Sequence, residues 1–234
     1  MFLSIIDAFA ETASFRMPET HTFHKTLPLP PYTSCVGMLG AALGLSLQET
    51  FQWVADRGVR VGVSGRDRGG FKDLWKYRKV KSNEVISDVL LREYRVDLSL
   101  RLVFGLEDQG TTEEIVAVFQ RPVYALTAGN SDSLMVIRSA RMLNMDPEPL
   151  KMLSFCVTPG DLFGRYEVDR NLLNTPITET IRALQVVSLP VAFTFDGERR
   201  EVATRETFTF VGHPITLTEP VEGFLIDDKP VVLR

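Results

Sequence analysis

Between Pro28 and Gly44 the chain runs PLPPYTSCVGMLGAALG, and few structural elements can accept such a run. Pro28, Pro30 and Pro31 hold the backbone extended and withhold three amide donors, so the approach suits neither a helix interior nor a paired inner strand. A short helix must follow, with Thr33 or Ser34 suited to cap its start and Gly44 suited to end it. Gly37, Gly40 and Gly44 leave one side of that helix nearly bare, which predicts a close approach to a sheet or another chain. The first turn of a helix presents unpaired N–H groups and partial positive charge. Tyr32, Thr33 and Ser34 add a ring and two hydroxyls beside it, a cradle suited to a phosphate. The ordinary alternative is that the hydroxyls only cap the helix and the ring only packs the loop.

The flanking pattern supplies an α+β order. Residues 2–9 form a short run of β-formers and read as a buried strand. Ser46 with Glu49 makes a capping box for a second helix that runs toward Arg57 and stops at Gly58. Val59, Val61 and Val63 alternate with Arg60 and Gly62, the period of a half-buried strand. The same period is clearest in Tyr94, Val96, Leu98, Leu100 and Leu102. Thr111 with Glu114 opens another helix through about Arg121, and residues 134–137 read as a fourth strand. Strand, helix, strand, strand, helix, strand is the ferredoxin-like, RRM-like order, expected here over residues 1–144. Between its second and third strands lie residues 64–91, far more than a hairpin connection needs, so a protrusion is expected there. From residue 145 to 234 a β-rich carboxy-terminal subdomain is expected. In it, residues 185–195 and 202–211 pair across Asp196-Gly197, with residues 198–201 lengthening the loop, and a last short hairpin turns at Asp227 and Asp228.

Charge narrows the partners. The chain of 234 residues carries a net charge of −4, which argues against a general nucleic-acid coat. Yet residues 57–81 hold nine basic side chains against Asp67 and Asp73, a local excess that points to a polyanion or, more plainly, to a solvated loop. Within it, WKYRKVK interleaves Trp75 and Tyr77 with Lys76, Arg78, Lys79 and Lys81, as single-stranded RNA sites do, with rings for bases and cations for the backbone. Arg68 lies in the same stretch. A strand with an apolar face toward a protein partner fits the same residues. Asn130, Ser131 and Ser133 suit base edges and sugar hydroxyls, or an ordinary turn.

Other chemistries find less support. His21, His24, Lys25 and Tyr32 are the residue types of metal-independent RNA cleavage, in which a base takes the 2′-hydroxyl proton and a cation steadies the phosphorane. The remaining histidine, His213, stands in a Gly-His-Pro turn. His21 and His24 lack further ligands for a metal, the glycines of the first helix precede no Gly-Lys-Ser/Thr, and Ser64 and Ser131 lack a nucleophile elbow. No cofactor or metal is expected. Cys35 and Cys156, far apart, read as buried thiols of a cytoplasmic protein. The first residues lack the basic start of a signal peptide, and no stretch is long and apolar enough for a membrane span, so no membrane partner is expected.

Three segments carry a family likeness. ASFR (13–16) followed by LPLPPYTSCVGMLGAALG resembles the amino-terminal signature of the Cas-five family of CRISPR-associated RAMP proteins; REYRVD (92–97) and YALTAGNSDSL (124–134) extend the likeness over about the first 140 residues. The nearest likeness is to subtype I-B-like members. The resemblance implies a prokaryotic, non-catalytic subunit that caps the five-prime handle of the guide RNA (crRNA) in type I surveillance (Cascade) complexes. Its partners would be a backbone subunit and the large subunit, with target DNA met indirectly through the complex. It also implies that Arg16 lies where a loop approaches the handle, although a surface salt bridge is the plain reading of Arg16, and that residues 64–91 form a thumb over the RNA. One branch of that family cuts guide precursors, so an endoribonuclease is the alternative; a protein–protein adaptor with an acidic partner is another.

Overall fold

The apolar run at the amino end becomes β1 (Phe2–Ala13), and it is apolar on both faces because both are covered. Ile6, Ala8 and Ala10 pack under the helices, while Leu3 and Ile5 pack against a carboxy-terminal hairpin. The computed structural model describes residues 1–20, 23–81, 84–168, 182–197 and 199–234. After β1 come β2 (Phe15–Arg16), β3 (Phe23–His24), β4 (Thr26–Leu27), α1 (Tyr32–Leu43), α2 (Leu47–Asp56), β5 (Arg60–Arg66), β6 (Gly69–Lys81) and β7 (Glu84–Leu106). Then follow α3 (Gln109–Gln120), β8 (Val136–Asn144), β9 (Glu148–Leu153), β10 (Cys156–Pro159) and β11 (Tyr166–Val168). The chain closes with β12 (Gln185–Asp196), β13 (Arg199–Val211), β14 (Ile215–Ile226) and β15 (Lys229–Val231).

The main sheet runs β12-β13-β10-β5-β7-β1-β8. Its middle, β5-β7-β1-β8, is antiparallel throughout, so the strand after α2 is separated from β1 by β7, and α1, α2 and α3 contribute to one core on one face. The other face is partly covered by Phe224, Ile226, Val231 and Leu233. Hydrogen bonds cross the boundary expected near residue 145: β10 pairs with β5, and Val157, Leu189, Phe208 and Phe210 join the core beneath the helices. A smaller sheet of β9, β11, β14 and β15 stands beside it. Among the described residues, no helix is long and apolar enough to cross a membrane.

Local signals decide the helix ends. At α2, Ser46 accepts from the Glu49 amide at 3.3 Å and Glu49 accepts from the Ser46 amide at 2.8 Å, the reciprocal capping box expected from sequence. At α1 the expectation is corrected: Pro31 is the N-cap, no side chain caps the helix, and Thr33 and Ser34 fall inside the first turn. Proline reaches this position because its missing amide and fixed φ cost nothing there. At α3, Asp108 caps, accepting from the Thr111 amide at 2.6 Å, in place of the box expected at Thr111 and Glu114. Asp196 and Arg199 pair directly, so the loop between β12 and β13 is tighter than expected. Asp227 and Asp228, both at positive φ, make the last turn as expected.

The three glycines of α1 have three different surroundings. Gly44 is the left-handed C-cap at φ 79°, and a Cβ on Gly37 would meet nothing within 4 Å. Gly40 makes the closest approach: a Cβ there would lie 2.2 Å from Thr50 Oγ1 of α2, against 3.0 Å from Val123 for one on Gly44. Gly40→Ala is therefore expected to cost about 1–3 kcal/mol of stability in denaturant melts, through overpacking. Gly37→Ala should be neutral or gain up to about 1 kcal/mol from helix propensity.

Candidate nucleic-acid interface

The excursion between β5 and β7 is a two-stranded ribbon. β6 pairs with β7 alone, from Gly69 opposite Val96 to Lys81 opposite Glu84. The ribbon therefore comprises residues 69–81 and 84–96 and not the expected 64–91, because Ser64–Arg66 remain in β5 within the main sheet. A ribbon of two strands has no core of its own, so its stability depends on side chains stacked across it.

Register sorts those side chains onto two faces. Phe71, Trp75 and Tyr77 share one face with Arg92 and Tyr94 of the partner strand. Phe71 stacks on Tyr94 with centroids 5.0 Å apart and planes at 7°, and Trp75 stacks on Tyr77 at 5.3 Å. The Arg92 guanidinium lies over Trp75 at 4.2 Å, and Tyr77 donates to Asp88 at 2.9 Å. The opposite face carries Lys72, Lys76 and Arg78 among exposed Leu74, Val80, Val85 and Val89. Both readings of WKYRKVK thus have a face each. The side chains of Lys79 and Lys81 lie outside the described residues.

Arg92 organises the root of the ribbon. It donates to the Tyr94 hydroxyl at 3.3 Å, and Tyr94 donates to Asp132 at 3.4 Å. Asn130 donates to the same Asp132 at 2.8 Å. Burial by itself would raise the Asp132 carboxyl, but its own backbone, Asn130, Arg92 and Tyr94 together hold it below the usual range. Across the β3–β7 pairing, His24 sits opposite Arg92. Burial, with Arg16 and Arg92 adding repulsion, lowers the His24 pKa. Arg16 on β2 is exposed and donates to the Thr20 carbonyl at 3.4 Å. Lys72 lies over Phe23 at 5.3 Å.

The sequence-expected residues divide accordingly. Arg16, Trp75 and Asn130 come to one neighbourhood through Arg92, Tyr94 and Asp132, and Ser131 is exposed on the same turn. The Asn130 turn is held by close backbone contact: Gly129 has φ 98°, and a Cβ there would lie 2.1 Å from the Ser14 carbonyl oxygen. Lys76 and Arg78 are exposed farther out, and Arg68 sits at the β5–β6 turn, 3.9 Å from Asp97.

Two expectations are corrected. Ser133 is 1% exposed and its hydroxyl is shared with Thr12 at 2.9 Å, so it buttresses the turn from within and cannot reach a sugar or base. Tyr32 is buried at the start of α1 beneath the Arg234 guanidinium, 4.2 Å from its ring, which removes it from base stacking; burial also raises its hydroxyl pKa. With Pro30, Pro31 and Tyr32 buried, Thr33 and Ser34 are left half-buried beside a covered helix start rather than an open phosphate cradle. His21 lies outside the described residues. Among those residues no three His, Cys, Asp or Glu side chains converge to hold a metal, and Cys35 and Cys156 are buried, unpaired thiols raised to about 12 by burial.

Phe71, Arg92, Tyr94 and Asp132 complete this candidate interface, and local sequence reading misses them. The usable signal is hairpin arithmetic: folding the basic stretch back on itself sets REY opposite FKD.

Solved structures are similar to this chain in fold. A chain of a CRISPR RNA-guided surveillance complex matches at 13% identity and TM-score 0.55, over 93% of this chain and 90% of that one. A CRISPR protein from Archaeoglobus fulgidus matches at 8% identity and TM-score 0.50, over 99% and 98%. A Cas protein of known crystal structure matches at 18% identity and TM-score 0.38; this chain covers 57% of its length, and 56% of this chain is matched. A comparison with curated protein sequences finds no match. For the first two the likeness is one of fold, a mixed α/β class found in CRISPR-associated proteins. The family model for CRISPR-associated protein (Cas_Cas5) matches residues 5–152, well over half of the chain, and the protein belongs to that family.

Proposed function

We propose that this chain is a non-catalytic RNA-binding subunit of a type I CRISPR surveillance complex, holding the five-prime handle of the guide RNA and capping the backbone filament. The observation that carries this reading is the aromatic and arginine face of the ribbon, Phe71, Trp75, Tyr77 and Arg92, with Tyr94 buried beneath Phe71 as their support, on a chain of this family. Rings accept bases of any sequence, and guanidinium groups add stacking and phosphate contact. The interleaved order β5-β7-β1-β8 supports a ferredoxin-like body, with the ribbon as its thumb. The opposite face, aliphatic and basic, suits the neighbouring backbone subunit. The large subunit, indirect contact with target DNA, a cytoplasmic location and a subtype I-B-like assignment belong to the same reading.

One observation favours a second reading. His24, its pKa lowered by burial and by Arg16 and Arg92 beside it, has the chemistry of a general base next to cations, which an endoribonuclease needs. A gel assay without added metal separates the two. Retention of uncut labelled handle, lost with Arg16→Ala, is expected, with affinity falling in salt by a log–log slope of about 0.7 per phosphate neutralised. A discrete cleavage product that vanishes with His24→Ala would instead make the protein a processing nuclease.

A further inference from the structure

On the sheet face away from the helices, beyond the cover of β14 and β15, lies a cleft of about 550 Å³. Its floor is one rung of the sheet, Ser64 opposite Arg101 opposite Asp7. Arg101 is committed to Asp7 and Asp227. Arg138 and Lys229, which also line the cleft, have no carboxylate partner among the described residues, and Arg138 stacks over Phe9 at 4.4 Å. Two features mark the wall. Phe155 is held at φ 49° in the two-residue link between β9 and β10, where its carbonyl accepts from the Gly65 amide at 2.8 Å, and its ring faces the Arg66 guanidinium at 4.7 Å. Ser64 is 3% exposed, and its hydroxyl has no hydrogen-bond partner among the described residues, although a buried hydroxyl is costly to leave unpaired.

We propose that this cleft binds a single phosphorylated nucleotide, its phosphate on Arg138 and Lys229, its base against Phe155, and one polar atom on the Ser64 hydroxyl. The volume lies within the range of small-ligand pockets, and an aromatic ring beside cations is the pairing a nucleotide requires and a bare phosphate does not. The nucleotide has two possible sources, a unit of the guide RNA, which rests on the proposed function above, or a free mononucleotide, which does not.

The test uses the full chain with adenosine 5′-monophosphate, adenosine and a short single-stranded RNA, in wild type, Ser64→Ala, the Arg138→Gln/Lys229→Gln pair and, as a control away from the cleft, Trp75→Ala. Ser64→Ala removes an unpaired buried hydroxyl, so its melting temperature should equal or exceed that of the wild type. The monophosphate should bind more tightly than adenosine, and the double variant should weaken it by about tenfold or more, the loss expected for charge-assisted hydrogen bonds. Ser64→Ala should weaken it without any change of charge, and Trp75→Ala should leave it unchanged. If Ser64→Ala and the double variant also weaken RNA binding, the guide supplies the nucleotide; if only the monophosphate is affected, the source is a free nucleotide. Cleft-dependent monophosphate binding by a protein that binds no RNA would keep this site and overturn the proposed function. RNA binding lost in Trp75→Ala but untouched by every cleft variant, with no cleft-dependent monophosphate binding, would overturn this site alone.

Discussion

Arg101→Ala is expected to be among the most damaging single substitutions in the body of the protein, lowering the unfolding free energy by about 2–3 kcal/mol, since it removes the buried cation of a network whose carboxylates keep part of their hydration. The Arg101 side chain is 8% exposed at the centre of the sheet. It donates to both Asp7 oxygens, at 2.7 and 3.2 Å, and to the Ile226 carbonyl at 2.8 Å, and it meets Asp227 at 2.8 Å. One guanidinium thus ties β1 and β7 to the turn that closes the carboxy-terminal hairpin. Its loss leaves Asp7 with Ser139 as the remaining donor, and leaves the Ile226 carbonyl without its side-chain donor. Arg101→Lys keeps the charge but not the fork, so an intermediate loss is expected.

The same group gives the effect a pH signature. Burial by itself would raise the Asp7 carboxyl, but Arg101, Ser139 and Arg141 outweigh it and hold the folded-state pKa below the ordinary value. A depressed carboxyl stabilises the fold above its unfolded pKa, near about 3.9, and that stabilisation is lost as pH falls through the folded value. Urea melts should therefore show the largest gap between wild type and Arg101→Ala near neutrality and a narrowing gap below about pH 4. A gap independent of pH would assign the loss to packing rather than to the ion pair.

The second large effect concerns RNA. Trp75→Ala and Arg92→Ala are each expected to weaken single-stranded RNA binding by about 5- to 100-fold, since one stacked base is worth about 1–3 kcal/mol. Because the two side chains stack on each other at 4.2 Å, the double variant should lose less than the product of the two. Stability of the body should change little, since the ribbon carries its aromatics outside the main core. Lys76→Gln with Arg78→Gln, on the other face, should reduce the salt slope rather than the stacking energy if phosphates reach that face. Should these two changes leave RNA untouched and weaken assembly with a backbone subunit, that face belongs to the protein partner.

How much of this is legible in the sequence depends on how local each signal is. The capping box at Ser46 and Glu49 holds because both bonds close within one turn. The α1 cap does not, because Pro31 can occupy the position that hydroxyl residues usually fill. The basic ribbon is visible as an excess of charge, but its faces are set by register, which brings Arg92 and Tyr94 beside Trp75 and Phe71 from the returning strand. Ser133 and Tyr32 have the right chemistry for a site and are nonetheless enclosed, Ser133 by Thr12 on β1 and Tyr32 by Arg234, contacts between distant parts of the chain. Nor can alternation alone say which sheet a strand joins: β10 and β13 look like members of a separate β-rich unit until their pairing with β5 and with each other is seen.

The central claim is that RNA lies on the aromatic face of the ribbon and at its root. Ultraviolet cross-linking of bound single-stranded RNA, followed by mass-spectrometric mapping of the modified peptides, tests it without any substitution. Cross-links on Phe71, Trp75 or Tyr77, with further ones near Arg16 and Asn130, are the expected result. Cross-links confined to α1, α3 or the β12–β13 hairpin, with none on the ribbon, would contradict it.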